Sequence, residues 1–237
     1  MERQGAFPVP DCWRCEARAC SPFCSNLNTD EIDLFMKIKK SHLYERRQSV
    51  FYEGNTCEGV YLLCSGSVKL MQSSRNGDQH ILEIILPGDL IEKSAVFCKG
   101  RHMTSAEALE RSEVSLFHPE DFLELLQSNT HLSLTLISVL TKEVELGRER
   151  THRLLFESAK KRLACILIDL SHHHGVRQSD GLAINLGLKR HELAEMVGVT
   201  QETTVRILTK MKKEKLIRLN GKKIIVLDEE GLKQVSD

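Results

Sequence analysis

The stretch from Lys189 to Ile217, KRHELAEMVGVTQETTVRILTKMKKEKLI, decides how the rest of the chain is understood. Its spacing predicts two short helices joined by a tight turn. The first runs from Lys189 to Val197, with Leu193, Ala194 and Val197 on one face. Gly198 supplies the turn, because a residue without Cβ takes positive φ at little cost. Thr200 is a good N-cap for a second helix reaching Lys213, and Thr203 half-imitates a capping box. Ile207, Leu208 and Met211 then point inward. Gln201, Glu202, Val205 and Arg206 are left outward on the first turns. In a helix-turn-helix those positions enter the major groove of DNA. There an arginine pairs bidentately with guanine and a glutamate accepts from cytosine N4.

A plain two-helix hairpin with charged outer faces is the alternative, and two features weigh against it. Lys215–Leu219 and Ile224–Leu227 flank Asn220-Gly221, the strongest short hairpin signal, which makes a wing. Charge is also lopsided. Between Lys189 and Leu227 ten Lys/Arg face four Glu, a net of +6, while the whole chain balances 33 basic against 33 acidic residues. A basic end on a neutral chain suits contact with phosphates.

At 237 residues, 41% hydrophobic and 28% charged, the composition is that of a globular protein with one large domain or two small ones. No apolar run approaches the roughly 18 residues of a membrane span, so no membrane partner is expected. Met1-Glu2-Arg3-Gln4-Gly5 lacks the apolar core of a signal peptide, and a cytoplasmic location is expected. In a reducing compartment, eight cysteines argue for metal or redox chemistry over structural disulfides.

Half of those cysteines fall in residues 1–25, as Cys12-x2-Cys15-x4-Cys20-x3-Cys24. With Pro22 interrupting and only Phe7, Trp13 and Phe23 to bury, this segment is too short to build a core. Thiolates converging on a metal centre would order it. Crowded cysteine runs hold iron–sulfur clusters. Zinc also suits four sulfurs, although structural zinc usually takes two separated pairs. A loose tail of free thiols is the plain alternative.

Residues 26–128 begin with an amphipathic helix, Thr29 to Lys39, carrying Ile32, Phe35, Met36 and Ile38. The period then shortens. Strands are expected at 50–52, 60–63, 68–71, 81–85, 106–109 and 114–117, punctuated by Gly54, Gly59, Gly66, Gly77 and Gly88, as in a barrel or roll. Cys57, Cys64 and Cys165 sit among apolar residues and are expected to be buried small hydrophobes. A long helix over 129–157 carries Ile137, Leu140, Val144, Gly147, Thr151 and Leu154 at steps of three and four, the seam of a coiled coil with a second copy. In 158–237, Ser158 caps a helix with a core stripe of Leu163, Ile166, Leu167 and Leu170. His172-His173-His174 at its end cannot all face one ion, and complement the helix terminus. No hydrolase triad, phosphate loop or metal-hydrolase motif marks an enzyme.

A sensory β-roll, a long helix and a C-terminal winged helix-turn-helix, in that order, resemble the Crp/Fnr family of bacterial transcription regulators. Val199–Leu208, with Glu202 and Arg206, resembles its recognition helix. Asn76-Gly77-Asp78-Gln79 and Leu86-Pro87-Gly88-Asp89-Leu90 resemble its roll. The resemblance implies an α+β fold with a cyclic-nucleotide-binding-like β-roll, a homodimer, a pseudo-palindromic DNA operator and RNA polymerase as a partner, in activation of transcription. Cys12-x2-Cys15-x4-Cys20-Ser21-Pro22-Phe23 is similar to the Fnr branch, which ligates an oxygen-labile 4Fe–4S cluster and senses oxygen, redox state or nitric oxide. The spacing before Cys20 is one residue short of that branch, and Ser115 stands where its fourth cysteine belongs. The fourth ligand then falls to Cys24, four residues from Cys20, with Cys98 next and a carboxylate third. The cyclic-nucleotide branch fits worse, since Glu92 would repel a phosphate near its clamp. A small-molecule-responsive Crp-like regulator with a zinc-stapled or thiol-redox segment is the competing expectation.

Overall fold

The computed structural model describes residues 12–13, 18, 21–97, 100–221 and 223–236. The chain divides into two compact units, one comprising residues 1–72 and 84–144 and the other 73–83 and 145–237.

In the first unit, α1 (Thr29–Ile38) starts at Asn28, whose side chain accepts from Glu31 N while the Glu31 carboxylate accepts from Asn28 N. This reciprocal box satisfies two of the donors that a helix start leaves open. Eight strands follow in the chain, β5 beginning in residues grouped with the other unit: β1 (Lys40–Tyr44), β2 (Ser49–Phe51), β3 (Val60–Ser65), β4 (Val68–Ser73), β5 (Gln79–Ile85), β6 (Leu90–Ile91), β7 (Ser105–Ala108) and β8 (Ser112–Phe117). They form two four-stranded sheets, ordered β1-β8-β3-β6 and β2-β7-β4-β5. Between β3 and β4, Gly66 holds φ at +84°, and a Cβ there would lie 2.4 Å from Ser112 Oγ. Only glycine fits.

β3 explains the uninterrupted apolar run Val60-Tyr61-Leu62-Leu63. Tyr61 and Leu63 join Phe51, Val68, Ile85, Ile91, Ala106, Val114 and Leu116 in a core drawn from both sheets. Val60 and Leu62 face the other way, into a cluster with Ile32 and Phe35 of α1. α2 (Pro119–Ser128) adds Phe122, Leu125 and Leu126 to that cluster. The first turns of α3 (Thr130–Phe156) add Leu132 and Leu136. A strand buried on both faces reads as continuous rather than alternating hydrophobicity.

The end of the cysteine segment, expected to be too short for a core of its own, borrows that of the roll. Phe23 is fully buried, stacked on Phe122 at 5.4 Å and tilted against Phe35 at 6.2 Å. Ser21 Oγ donates to Gly88 O at 2.7 Å and accepts from Cys24 N at 3.1 Å. One aromatic anchor and one buried hydroxyl fix residues 21–24 on the roll.

In the second unit, α4 (Ala159–His174) is capped by Ser158, whose hydroxyl accepts from Lys161 N. β9 (Gly175–Gln178) and β10 (Gly181–Ile184) precede α5 (Arg190–Val197) and α6 (Gln201–Lys213). β11 (Ile217–Asn220) and β12 (Lys223–Val226) form the expected wing, and α7 (Glu229–Ser236) ends the described chain. The wing belongs to a sheet ordered β11-β12-β10-β9. Among the described residues no helix is long and apolar enough to cross a membrane.

Candidate nucleic-acid interface and metal centre

Gly198 caps α5 in the left-handed region (φ 73°), and its N–H donates to Ala194 O at 2.9 Å. Thr200 Oγ1 accepts from Thr203 N at 3.2 Å and starts α6. Leu193, Ala194, Val197, Leu208 and Met211 are buried between the helices, and Ile207 is half-buried. Thr204 is buried as well, which is tolerated because its hydroxyl donates to Thr200 O at 3.2 Å. Gln201, Glu202, Val205 and Arg206 are all exposed on one side of the first two turns of α6, as their spacing required. Two arginines brace the frame. Arg162 Nε donates to Val197 O at 3.0 Å, and Arg190 donates to Gly221 O at 3.1 Å, tying the start of α5 to the wing. Burial lowers the Arg190 pKa from its ordinary value.

α3 starts where expected, with Asn129 Oδ1 accepting from Leu132 N. Ile137 and Val144 are 57% and 54% exposed, and every residue from 141 to 150 is exposed. Gly147, Thr151 and Leu154 are exposed too. Leu140 is half-buried. It packs on the core cluster of its own unit, since it continues the Leu132-Leu136 stripe by one turn.

Of the cysteines expected to ligate a metal centre, Cys15, Cys20 and Cys98 lie outside the described residues. Cys12 and Cys24 are described. They line one pocket with Cys64, together with Arg18, Lys39, Leu62 and Gly88. Lys39 Nζ donates to Cys12 Sγ at 3.1 Å, so a nearly buried ammonium faces the sulfur. Arg18 donates to Leu27 O and lies 5.8 Å over the Trp13 ring.

Cys57 and Cys64 pack against the core cluster as expected, but they are partly rather than fully buried, as is Cys165. Cys64, on β3, places its Sγ 3.2 Å from Ser115 Oγ on the neighbouring β8. Register explains the proximity, and no signal local to Cys64 revealed it. Cys57 stands with Glu92 and His102, their donor atoms all within 4.8 Å of one another. At the end of α4, His172 Nε2 meets Glu229 at 2.9 Å and His173 Nδ1 meets Asp169 O at 2.8 Å. His172 and His173 thus turn to separate partners.

Comparison with known proteins bears on both regions. Residues 41–129 match the cyclic nucleotide-binding domain, and residues 161–235 match the Crp-like helix-turn-helix domain. The chain is 28% identical over 216 residues to the cyclic AMP receptor protein of Thermus thermophilus, covering 91% of this chain and 97% of that one. It is 26% identical over 236 residues to the fumarate and nitrate reduction regulatory protein of Yersinia pestis, covering 99% and 93%. Among solved structures, the c-di-GMP-responsive global regulator CLP of Xanthomonas campestris superposes with a TM-score of 0.75 at 21% identity, over 84% of this chain and 99% of that one.

Proposed function

Because the chain is a DNA-binding transcription regulator of the Crp/Fnr family, we propose that it acts as a homodimer whose DNA binding is switched by an iron–sulfur cluster on its N-terminal cysteines. The observation that carries this reading is the pocket lined by both Cys12 and Cys24 and by two cations, Lys39 and Arg18. Cysteine ligands bring negative charge, and Lys39 and Arg18 offset it in a site walled by Leu27, Ile32, Phe35 and Leu62. The donor set therefore suits a 4Fe–4S cluster held by Cys12, Cys15, Cys20 and a fourth ligand. When bound, the cluster supplies reactivity toward oxygen, other oxidants or nitric oxide. The chain's own residues position it. Ser21 and Phe23 hold Cys24 against the roll, and Lys39 holds Cys12.

For the fourth ligand Cys24 is the local choice and Cys98 the distant one. Cys64 joins them, because it lines the same pocket and touches Ser115. At the other end, Gln201, Glu202, Val205 and Arg206 would read each half-site of a pseudo-palindrome, with the two half-sites about 34 Å apart. RNA polymerase would be the partner in activation. A cyclic nucleotide is not the ligand proposed, since the largely buried Glu92 carboxylate would oppose a phosphate.

The test is anaerobic reconstitution of the full chain and of the Cys24→Ser, Cys64→Ser and Cys98→Ser variants, with iron, sulfide and visible absorbance measured. The expected result is a brown parent protein holding a cluster, and one variant that fails to hold it. A colourless parent containing zinc and no sulfide would overturn the proposal.

A further inference from the structure

We propose that Cys57, Glu92 and His102 form a second metal site, inside the roll, that takes one zinc-like divalent cation. Three separate segments deliver the donors. Thr56 and Arg101 bridge as antiparallel partners. Around that bridge Cys57 N donates to Gly100 O at 3.0 Å, His102 N donates to Asn55 O at 2.8 Å, and Gly54 N donates to His102 O at 2.8 Å. Cys57 and His102 are thereby held by one frame. Glu92 arrives from the turn after β6. Its backbone is in the left-handed region (φ 58°, ψ 36°), a conformation that non-glycine residues adopt at a cost and that gathers at functional sites.

The imidazole is the most telling member. His102 is 2% exposed, and its ring is stacked on Phe51 at 4.0 Å with 10° between the planes. Tyr61 leans on it at 5.9 Å. Its Nδ1 lies 3.1 Å from Glu92 Oε1, yet it makes no aligned hydrogen bond. A polar atom this buried normally has a partner. The other carboxylate oxygen, Oε2, is 3.9 Å from Cys57 Sγ. A tetrahedral ion with bonds of zinc length spaces its donors by about 3.3–3.6 Å. The two observed separations straddle that value, so small side-chain shifts would close the site.

Chemistry selects the ion. A thiolate and an imidazole exclude magnesium and calcium, which take oxygen ligands, and one donor each of sulfur, nitrogen and oxygen suits zinc. A thiolate and a carboxylate would together neutralise a dication within the roll. Burial raises the Cys57 thiol above its ordinary pKa, and Glu92 and Glu58 push the same way. A bound cation reverses that preference. Three protein ligands leave a fourth position open. The neighbouring Lys93 pairs with Glu143 of α3 at 2.5 Å, which places occupancy of the site one residue from the long helix.

The probe is Co2+, added anaerobically to the full chain with Cys12, Cys15, Cys20 and Cys24 all replaced by serine, so that the N-terminal thiols do not compete. One equivalent should bind, with tetrahedral d–d bands and a thiolate charge-transfer band. Adding Cys57→Ser should abolish that charge-transfer band. His102→Gln and Glu92→Gln should each weaken binding by at least about tenfold. Melting curves of the metal-free variants separate lost ligands from lost fold, and the near-isosteric Glu92→Gln and His102→Gln changes decide the matter if Cys57→Ser misfolds. Absence of Co2+ binding in the four-serine protein would overturn the site. So would binding whose spectrum and affinity survive all three ligand changes in folded protein.

Discussion

Arg206 leaves the second turn of α6 into solvent, one turn from the exposed Glu202. That spacing lets one side chain address a guanine and the other the neighbouring cytosine edge, with Val205 placed for a thymine methyl. Arg206→Ala should cost about 1–3 kcal/mol of operator binding and relax the preference at one base pair. Binding isotherms on single-substitution operators measure both. Unchanged affinity and preference would mean that α6 meets DNA by another face. Glu113 of β8 offers a test of stability instead. Its pKa is raised, chiefly by burial, with Lys39 and Ser41 only partly offsetting that. Its Oε1 has no hydrogen-bond partner. The folded chain therefore binds this proton more tightly than the unfolded chain does. The group costs stability once pH rises above the unfolded pKa, and the cost is complete above the folded one. Glu113→Gln should accordingly melt higher than the parent at neutral pH, with the gap closing as pH falls below the unfolded pKa. A lower melting temperature for the variant at neutral pH would refute the assignment. At this scale the outward positions of α6 were legible in the sequence, because helical period alone sets them. Cys57, Glu92 and His102 were not, since their meeting depends on a bridge and a left-handed turn that no local pattern records.

Elements were legible wherever period or turn chemistry was strong. The Asn220-Gly221 wing, the start of α1 at Thr29 and the Gly198 turn each rest on a local signal, and each stands where it was expected. β1 was missed because Lys40-Ser41-His42-Leu43-Tyr44 is mostly polar and contains no buried residue. Pairing with β8 makes it a strand. β6 has two residues, too few for any period. α2 did announce itself, through Pro119 at its start and Phe122, Leu125 and Leu126 at helical spacing, a pattern the longer helix after it overshadowed. α3 carries the element-scale prediction. Ile137 and Val144 lie bare, and covering such side chains is worth about 1.5–3 kcal/mol each. Val144→Glu should therefore turn a dimer into a monomer in sedimentation velocity. Its exposed position leaves the fold of the monomer untouched, so circular dichroism should not change. A variant dimer as tight as the parent would move the interface elsewhere.

For the molecule as a whole, charge and assembly act together. The helix-turn-helix and wing carry +6 within a neutral chain, leaving −6 on the rest. The DNA-reading end thus attracts phosphates while the remainder does not. Ten successive exposed residues on α3, 141–150, then have a consequence for gene dosage. If the operator is read only by paired chains, the active species grows as the square of the chain concentration while most chains are single. Doubling synthesis would then quadruple the reading species. The operator would register how much of this protein the cell makes more steeply than in direct proportion.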